Sequence, residues 1–384
     1  MARFWKFLSD SRLPILIVIG LAAVAALLVL GAVALDIGLV WSAIVGLALL
    51  GIWGAGWMIR RAWRAREGRR LALAIATEDA GDDVANDGAD DGGKGDVAVL
   101  RKNLLDAVST IKTSKLGLTR GAAALYELPW YMVIGNPAAG KSSAIVRSGL
   151  TFPIPGNKAL QGVGGTRHCD WFFTTDGILL DTAGRYSVQE DDRDEWFGFL
   201  DLLRRHRQRA PVNGILIAVS VAELTAGPAT ASHELAKNLR TRMQELTERL
   251  GVHPPVYVVF TKVDLVAGFL DFFSDSEQAE RERIWGATLR YNRRSAPQDV
   301  LAFFDAQFEE LVDGLKEMSL AGMGANRSTL MRPGVFTFPL EFAAIRTPLR
   351  AFLATLFDEN TYQFKPVFRG FYFTSALQEG SVQD

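Results

Sequence analysis

The sequence predicts an α/β fold: a mainly parallel sheet with helices on both faces and a helical insertion, preceded by a two-helix transmembrane hairpin. Three observations carry this. Two charge-free apolar runs stand before residue 60, short apolar β-type runs alternate with helical stripes after residue 99, and a glycine-rich loop joins one such run to a helix start. Of the 384 residues 49% are hydrophobic, and the excess lies before residue 60, which leaves the remainder an ordinary globular composition. The net charge of −1 offers no general attraction to nucleic acid. The single cysteine, Cys169, excludes an internal disulfide framework and fits a reducing compartment. His168 beside Cys169 has no second metal-type pair, so neither is assigned to zinc.

Leu13 to Leu35 is apolar throughout. As a helix it spans on the order of 33 Å, enough to cross the hydrocarbon layer. Asp36, Ile37 and Gly38 form a minimal turn, and a second run extends from Leu39 to Ile59 with Trp41, Trp53 and Trp57. The length of the first run and the second span behind it argue against a cleaved signal peptide. Arg3, Lys6 and Arg12 precede the hairpin, Arg60, Arg61, Arg64, Arg66, Arg69 and Arg70 follow it, and the turn carries no cation. The positive-inside rule then places both ends of the chain in the cytoplasm. The basic flank suits anionic headgroups of the lipid bilayer.

The hairpin and a basic juxtamembrane helix occupy residues 1–75, and residues 76–98 form an acidic flexible linker, poor in large apolar residues from Glu78 to Asp96. The soluble domain spans residues 99–384. Trp130–Ile134, Asp170–Thr174, Ile178–Leu180, Ile215–Val221 and Val256–Phe260 read as strands, and Glu195–His206 and His233–Leu250 as helices. In the second helix Leu235, Leu239, Met243, Leu246 and Leu250 make one core stripe, and Gly251 is the stop. Alternation at these lengths implies parallel pairing. Residues 270–365, with helices expected over Ala279–Leu289 and Val300–Met318, form the insertion, whose core includes Phe303, Phe304 and Phe308.

Gly135-Asn136-Pro137-Ala138-Ala139-Gly140-Lys141-Ser142 fits the P-loop pattern G-x-x-x-x-G-K-[ST] between a strand and a helix. Consecutive backbone N–H groups would face phosphates, so Gly135, Asn136, Ala139, Gly140, Lys141, Ser142 and Ser143 are the candidate phosphate contacts. Lys141 would reach the β- and γ-phosphates, and Ser142 would ligate Mg²⁺. Leu179-Leu180-Asp181-Thr182-Ala183-Gly184 ends a strand in an acid. Asp181 suits the Mg²⁺ shell, and the Gly184 N–H suits a γ-phosphate sensor. Thr166 is a candidate switch threonine completing the metal's coordination. Thr261, Lys262 and Asp264 resemble a guanine-recognition element, because a carboxylate at Asp264 accepts both guanine N–H donors. Ser375 and Ala376 resemble the last base-contacting element. Together these describe a P-loop GTPase-like domain for GTP or ATP with Mg²⁺, GTP being favoured. Arg185 stands where Ras-like GTPases carry a water-orienting glutamine, and only Arg185 and Gln189 are candidates to replace it. Slow GTPase or ATPase turnover is the expectation.

With these residues assembled, the chain resembles the N-terminal, cytoplasmic part of the type VI secretion membrane proteins of the TssM (IcmF) family. The resemblance rests on Trp130–Gly135 leading into the P-loop, Ser148–Pro153, Gly165–Trp171, Asp181–Tyr186, Pro211–Gly214, Pro255–Lys262, Ala267–Phe269 and Arg369–Ser375. It implies an inner-membrane scaffold in a trans-envelope complex with TssL and the lipoprotein TssJ, in homo-oligomeric form, docking baseplate and sheath components in the cytoplasm. Family members continue into a third transmembrane helix and a periplasmic domain, which this sequence lacks. Three functions stay open on these residues. One is a scaffold whose nucleotide is a conformational ligand. Another is an NTPase that energises assembly or secretion. The third, a transporter, is opposed by the absence of charged or interrupted membrane spans.

Overall fold

The structure is a computed structural model that describes residues 128–152, 169–187, 193–274, 284–290, 299–324, 332–358 and 363–375, with isolated positions elsewhere. The linker, Thr166, Gln189 and Ala376 lie outside the described residues, as does the expected hairpin apart from positions 51, 54–56 and 58, which are helical. Among the described residues no helix is long and apolar enough to cross a membrane. The chain divides into two compact units, Met1–Arg70 and Leu71–Asp384, and the elements below belong to the second.

Seven strands form one sheet: β1 Trp130–Ile134, β2 Cys169–Phe173, β3 Ile178–Thr182, β4 Gly214–Ser220, β5 Pro255–Thr261, β6 Gly286–Thr288 and β7 Val367–Phe373. Their order is β2-β3-β1-β4-β5-β7-β6. The five inner strands are parallel, and β2 and β6 run antiparallel at the two edges. The helices are α1 Lys141–Val146, α2 Arg193–His206, α3 Val221–Ala226, α4 Ala229–Leu250, α5 Phe269–Phe273, α6 Val300–Gly324, α7 Arg332–Ala344 and α8 Arg346–Leu356. β1 and both long helices of the first half fall where the hydrophobic periodicity put them, with ends extended by up to four residues. Gly251 closes α4 in the left-handed conformation, its N–H donating to the Thr247 carbonyl.

Side chains alternate across each strand, so the sheet has two distinct faces. Trp130, Met132 and Ile134 of β1 join a large cluster with Trp196 and Phe199 of α2, Leu239 and Leu246 of α4, and Leu349 and Phe352 of α8. Val133 points the other way, into a small cluster with Phe172, Leu179, Ala218 and the α1 residue Ile145. Helices therefore occur on both faces, but the load is unequal. Helices α2 to α8 all feed the larger cluster, and the described residues of the opposite face contribute only α1.

The segment between β5 and β7 departs from the expectation in two ways. Gly286–Thr288, expected within a helix over Ala279–Leu289, is a strand pairing with Gly370–Tyr372. The helical reading failed because a three-residue edge strand is too short to show a period of two. Nor do Phe303, Phe304 and Phe308 make a separate core. Phe304 packs edge-on to Phe371 at 4.9 Å and Phe308 stacks on Phe342 at 5.0 Å, while Phe342 meets Phe373 at 5.0 Å. The inserted helices are thus continuous with the sheet's own core. At the other end, Arg207 is buried over the Trp130 ring, and its guanidinium donates to Asn213 Oδ1 and the Leu128 carbonyl. Burial pushes its pKa down to about 10.

Candidate nucleotide site

The P-loop leaves the C-terminal end of β1, the sheet edge at which parallel α/β folds bind ligands. Ala138 and Gly140 take left-handed conformations, φ 58° and 82°, which curl the loop tightly. Lys141 is buried, and its ammonium donates to the carbonyls of Gly135 at 2.8 Å and Asn136 at 2.9 Å. Burial lowers its pKa, against the opposite pull of the Asp181 and Glu223 carboxylates. Ser142 Oγ donates to Asp181 Oδ2 at 2.5 Å, so the two candidate metal ligands converge across 39 residues of sequence. This follows from topology: β3 lies beside β1 in parallel, with Val133 opposite Asp181. Helix α1 has only six residues, so loop amides must supply most of any favourable dipole at the site.

Gly184 sits against the loop so closely that a Cβ would lie 2.3 Å from the Pro137 nitrogen. No other residue fits there without moving the P-loop, which suits an N–H meant to lie beside bound phosphate. Beyond it, a short 3₁₀ turn, Gly184–Ser187, carries Arg185 and Tyr186, both bonded to the buried Glu195 of α2. In this structure Arg185 is therefore paired with a carboxylate.

At the far side of the loop, β5 ends in Thr261. Its buried hydroxyl donates to the Ala139 carbonyl at 2.6 Å, so Thr261 braces the P-loop. Lys262 follows in a left-handed conformation and leads into Val263–Leu265. Ser375 Oγ donates to Asp264 Oδ1 at 2.6 Å across 111 residues. Strand β7, unread in the sequence, makes that meeting possible by pairing in parallel with β5, and the Thr374 N–H donates to the Phe260 carbonyl. Of the expected residues, Gly135, Asn136, Ala139, Gly140, Lys141, Ser142, Ser143, Asp181, Gly184, Thr261, Lys262, Asp264 and Ser375 are described, and they lie in the P-loop and the start of α1, at the C-terminal ends of β3 and β5, and in the turns that follow β3, β5 and β7, all at one edge of the sheet.

The donor set fits a Mg²⁺ nucleotide on three observations: the convergent Ser142 and Asp181 oxygens, the Gly184 approach, and the buried Asn136 Oδ1, which has no hydrogen-bond partner. Sequence reasoning missed Glu223 and Glu195. Asn136 Nδ2 donates to Glu223 Oε1 at 2.7 Å, a contact that depends on β4 lying beside β1. Glu195 reads in sequence only as a helix start, because the Arg185 and Tyr186 side chains it holds belong to a turn ten and nine residues earlier.

Residues 189–384 match the IcmF-related N-terminal domain. The chain belongs to the TssM/IcmF family. The match covers the second half of the sheet and the inserted helices. The chain is also 42% identical over 296 residues to the type VI secretion system component TssM1 of Pseudomonas aeruginosa, covering 75% of this chain and 27% of that relative's length. A GTP-binding protein from the archaeon Sulfolobus solfataricus in complex with GDP overlaps 46% of this chain and 52% of its own, at 15% identity and a TM-score of 0.22. A further SsGBP–GDP complex gives 13% identity, 54% of each chain and the same TM-score. Overlaps at such scores carry no weight below.

Proposed function

We propose that this chain is a membrane-anchored scaffold of a type VI secretion complex whose cytoplasmic domain, residues 99–384, binds a guanine nucleotide with Mg²⁺ as a conformational ligand. The hairpin over residues 1–75 holds it at the bacterial inner membrane, the linker over 76–98 tethers it, and both ends of the chain lie in the cytoplasm. TssL, a TssJ-containing complex and baseplate components are the partners the family relationship suggests.

The observation that carries the reading is the gathering at one sheet edge of three pieces: the P-loop, Asp181 against Ser142, and Asp264 against Ser375. Each piece alone is a common loop. Their order, with a phosphate-type loop at β1 and a guanine-type carboxylate beyond β5, supports one ligand with phosphates at Lys141 and base at Asp264. A bound Mg²⁺ supplies charge neutralisation between the phosphate oxygens. Lys141 supplies a fixed cation, Ser142 and Asp181 supply metal ligands, and the Gly184 N–H supplies a donor. With Arg185 held by Glu195, nothing described orients an attacking water, which favours a scaffold over an energy-supplying NTPase.

Calorimetric titration of the full chain in detergent with GTP, ATP and their diphosphates tests this. GTP·Mg²⁺ is expected to bind more tightly than ATP·Mg²⁺, and Lys141→Ala to weaken binding at least about tenfold. Failure of all four nucleotides to bind would falsify the reading.

A further inference from the structure

Glu195 is 4% exposed, and both of its oxygens are used: Oε1 accepts from the Tyr186 hydroxyl and Oε2 from Arg185 Nη2, each at 2.5 Å. The Arg185 side chain keeps 28% of its surface in solvent, so it has room to leave. Its position is specific. Gly184 touches Pro137 of the P-loop, and the Arg185 Cα is one peptide step, about 3.8 Å, further on. An extended arginine side chain is longer than that single step. A guanidinium pairs with phosphate in the same forked geometry as with carboxylate. Tyr186 stays on Glu195 if Arg185 departs, so α2 keeps a tie to the turn. Burial and the Glu195 carboxylate both raise the Tyr186 pKa, which keeps that phenol a donor.

Building on the nucleotide reading above, we propose that Arg185 is the side chain that reads the γ-phosphate and that Glu195 is a positioning residue that withholds it. A triphosphate then competes with one buried carboxylate for one guanidinium, and a diphosphate does not. The domain thereby carries a built-in bias against the triphosphate state, which a partner disturbing α2 would lift.

Binding constants for a non-hydrolysable GTP analogue and for GDP, both with Mg²⁺, test this on the full chain in detergent. Four proteins are compared: wild type, Glu195→Gln, Arg185→Ala and the double variant. Glu195→Gln keeps the side chain's size and is expected to raise the triphosphate-to-diphosphate affinity ratio about tenfold. Arg185→Ala is expected to lower the ratio with GDP affinity unchanged, and the double variant to match Arg185→Ala, since no arginine is left to release. A structural role alone would move stability and leave the ratio constant. Nucleotide binding with one ratio across all four proteins overturns the latch and leaves the nucleotide reading standing. If no protein binds either nucleotide, both fall. Should Glu195→Gln not fold, Arg185→Ala against wild type still decides, because an unchanged ratio there overturns the proposal.

Discussion

The two halves of the sheet hold their parts of the site by different means. Around β1 and β3 the work is done by polar contacts and backbone proximity: Lys141 on loop carbonyls, Ser142 on Asp181, Gly184 against Pro137. Around β5 and β7 it is done by aromatic packing. Trp285 stacks on Phe342 at 4.9 Å, Phe342 lies against Phe308 and Phe373, and Asp264 and Ser375 stand just beyond this layer. The phosphate end is thus fixed by short-range geometry that tolerates almost no added volume. The base end is fixed by a core whose integrity depends on helices inserted nearly a hundred residues along the chain. A change on those helices can reach the base end directly through packing, and β1 through the wider core that Leu349 and Phe352 of α8 share with it.

Four substitutions break or sharpen that contrast. Phe342→Ala removes a fully buried ring with four aromatic neighbours, so chemical denaturation should register a loss of about 3–5 kcal/mol, with base discrimination lost alongside. Gly184→Ala inserts a methyl into backbone, so it should cost about 1–3 kcal/mol and weaken nucleotide binding disproportionately. Ser375→Ala removes one hydrogen bond to a half-buried carboxylate, worth about 1–2 kcal/mol, and its signature should be reduced preference for GTP over ATP. Phe336→Ser, six residues before Phe342 on the same helix but 57% exposed, should leave stability within about 0.5 kcal/mol of wild type. If Phe336→Ser destabilised the fold as much as Phe342→Ala, the account of the aromatic layer would be wrong.

A fifth prediction concerns pH. Burial lowers the Lys141 pKa below the ordinary 10.5, so the unfolded chain binds that proton more strongly. The resulting cost to the fold is constant at low pH and fades as pH rises from the folded value toward 10.5. Lys141→Met should therefore stay within about 1 kcal/mol of wild type at pH 7, with a flatter stability profile in the alkaline range, while abolishing nucleotide binding.

The same contrast explains how much could be read in advance. The phosphate end is encoded locally: a strand, six loop residues and a lysine in one window, then an acid ending the next inner strand, so Lys141, Ser142, Asp181 and Gly184 were all legible. The stripe from Leu235 to Leu250 was legible because its period is long and regular. Strand β7 was not, because its pairing with β5 spans the whole insertion, and β6 was taken for helix because three residues cannot declare a period. The brace that Thr261 makes was not legible for a similar reason. Its hydroxyl bonds a carbonyl 122 residues earlier, a contact fixed by the curl of the P-loop rather than by anything near Thr261 in sequence. Glu223 became visible only once strand order had set β4, and helix α3 that follows it, beside β1, and Glu195 only once α2 met the turn after β3.

The central claim is that one ligand spans both ends of this sheet edge. Hydrogen–deuterium exchange of the full chain, with and without GTP·Mg²⁺, tests it most directly. Slowed exchange is expected together in residues 135–144 and 262–266, the stretches carrying Lys141 and Asp264. Unchanged exchange at both stretches under saturating nucleotide, or slowing only at the Asp264 end, would contradict it.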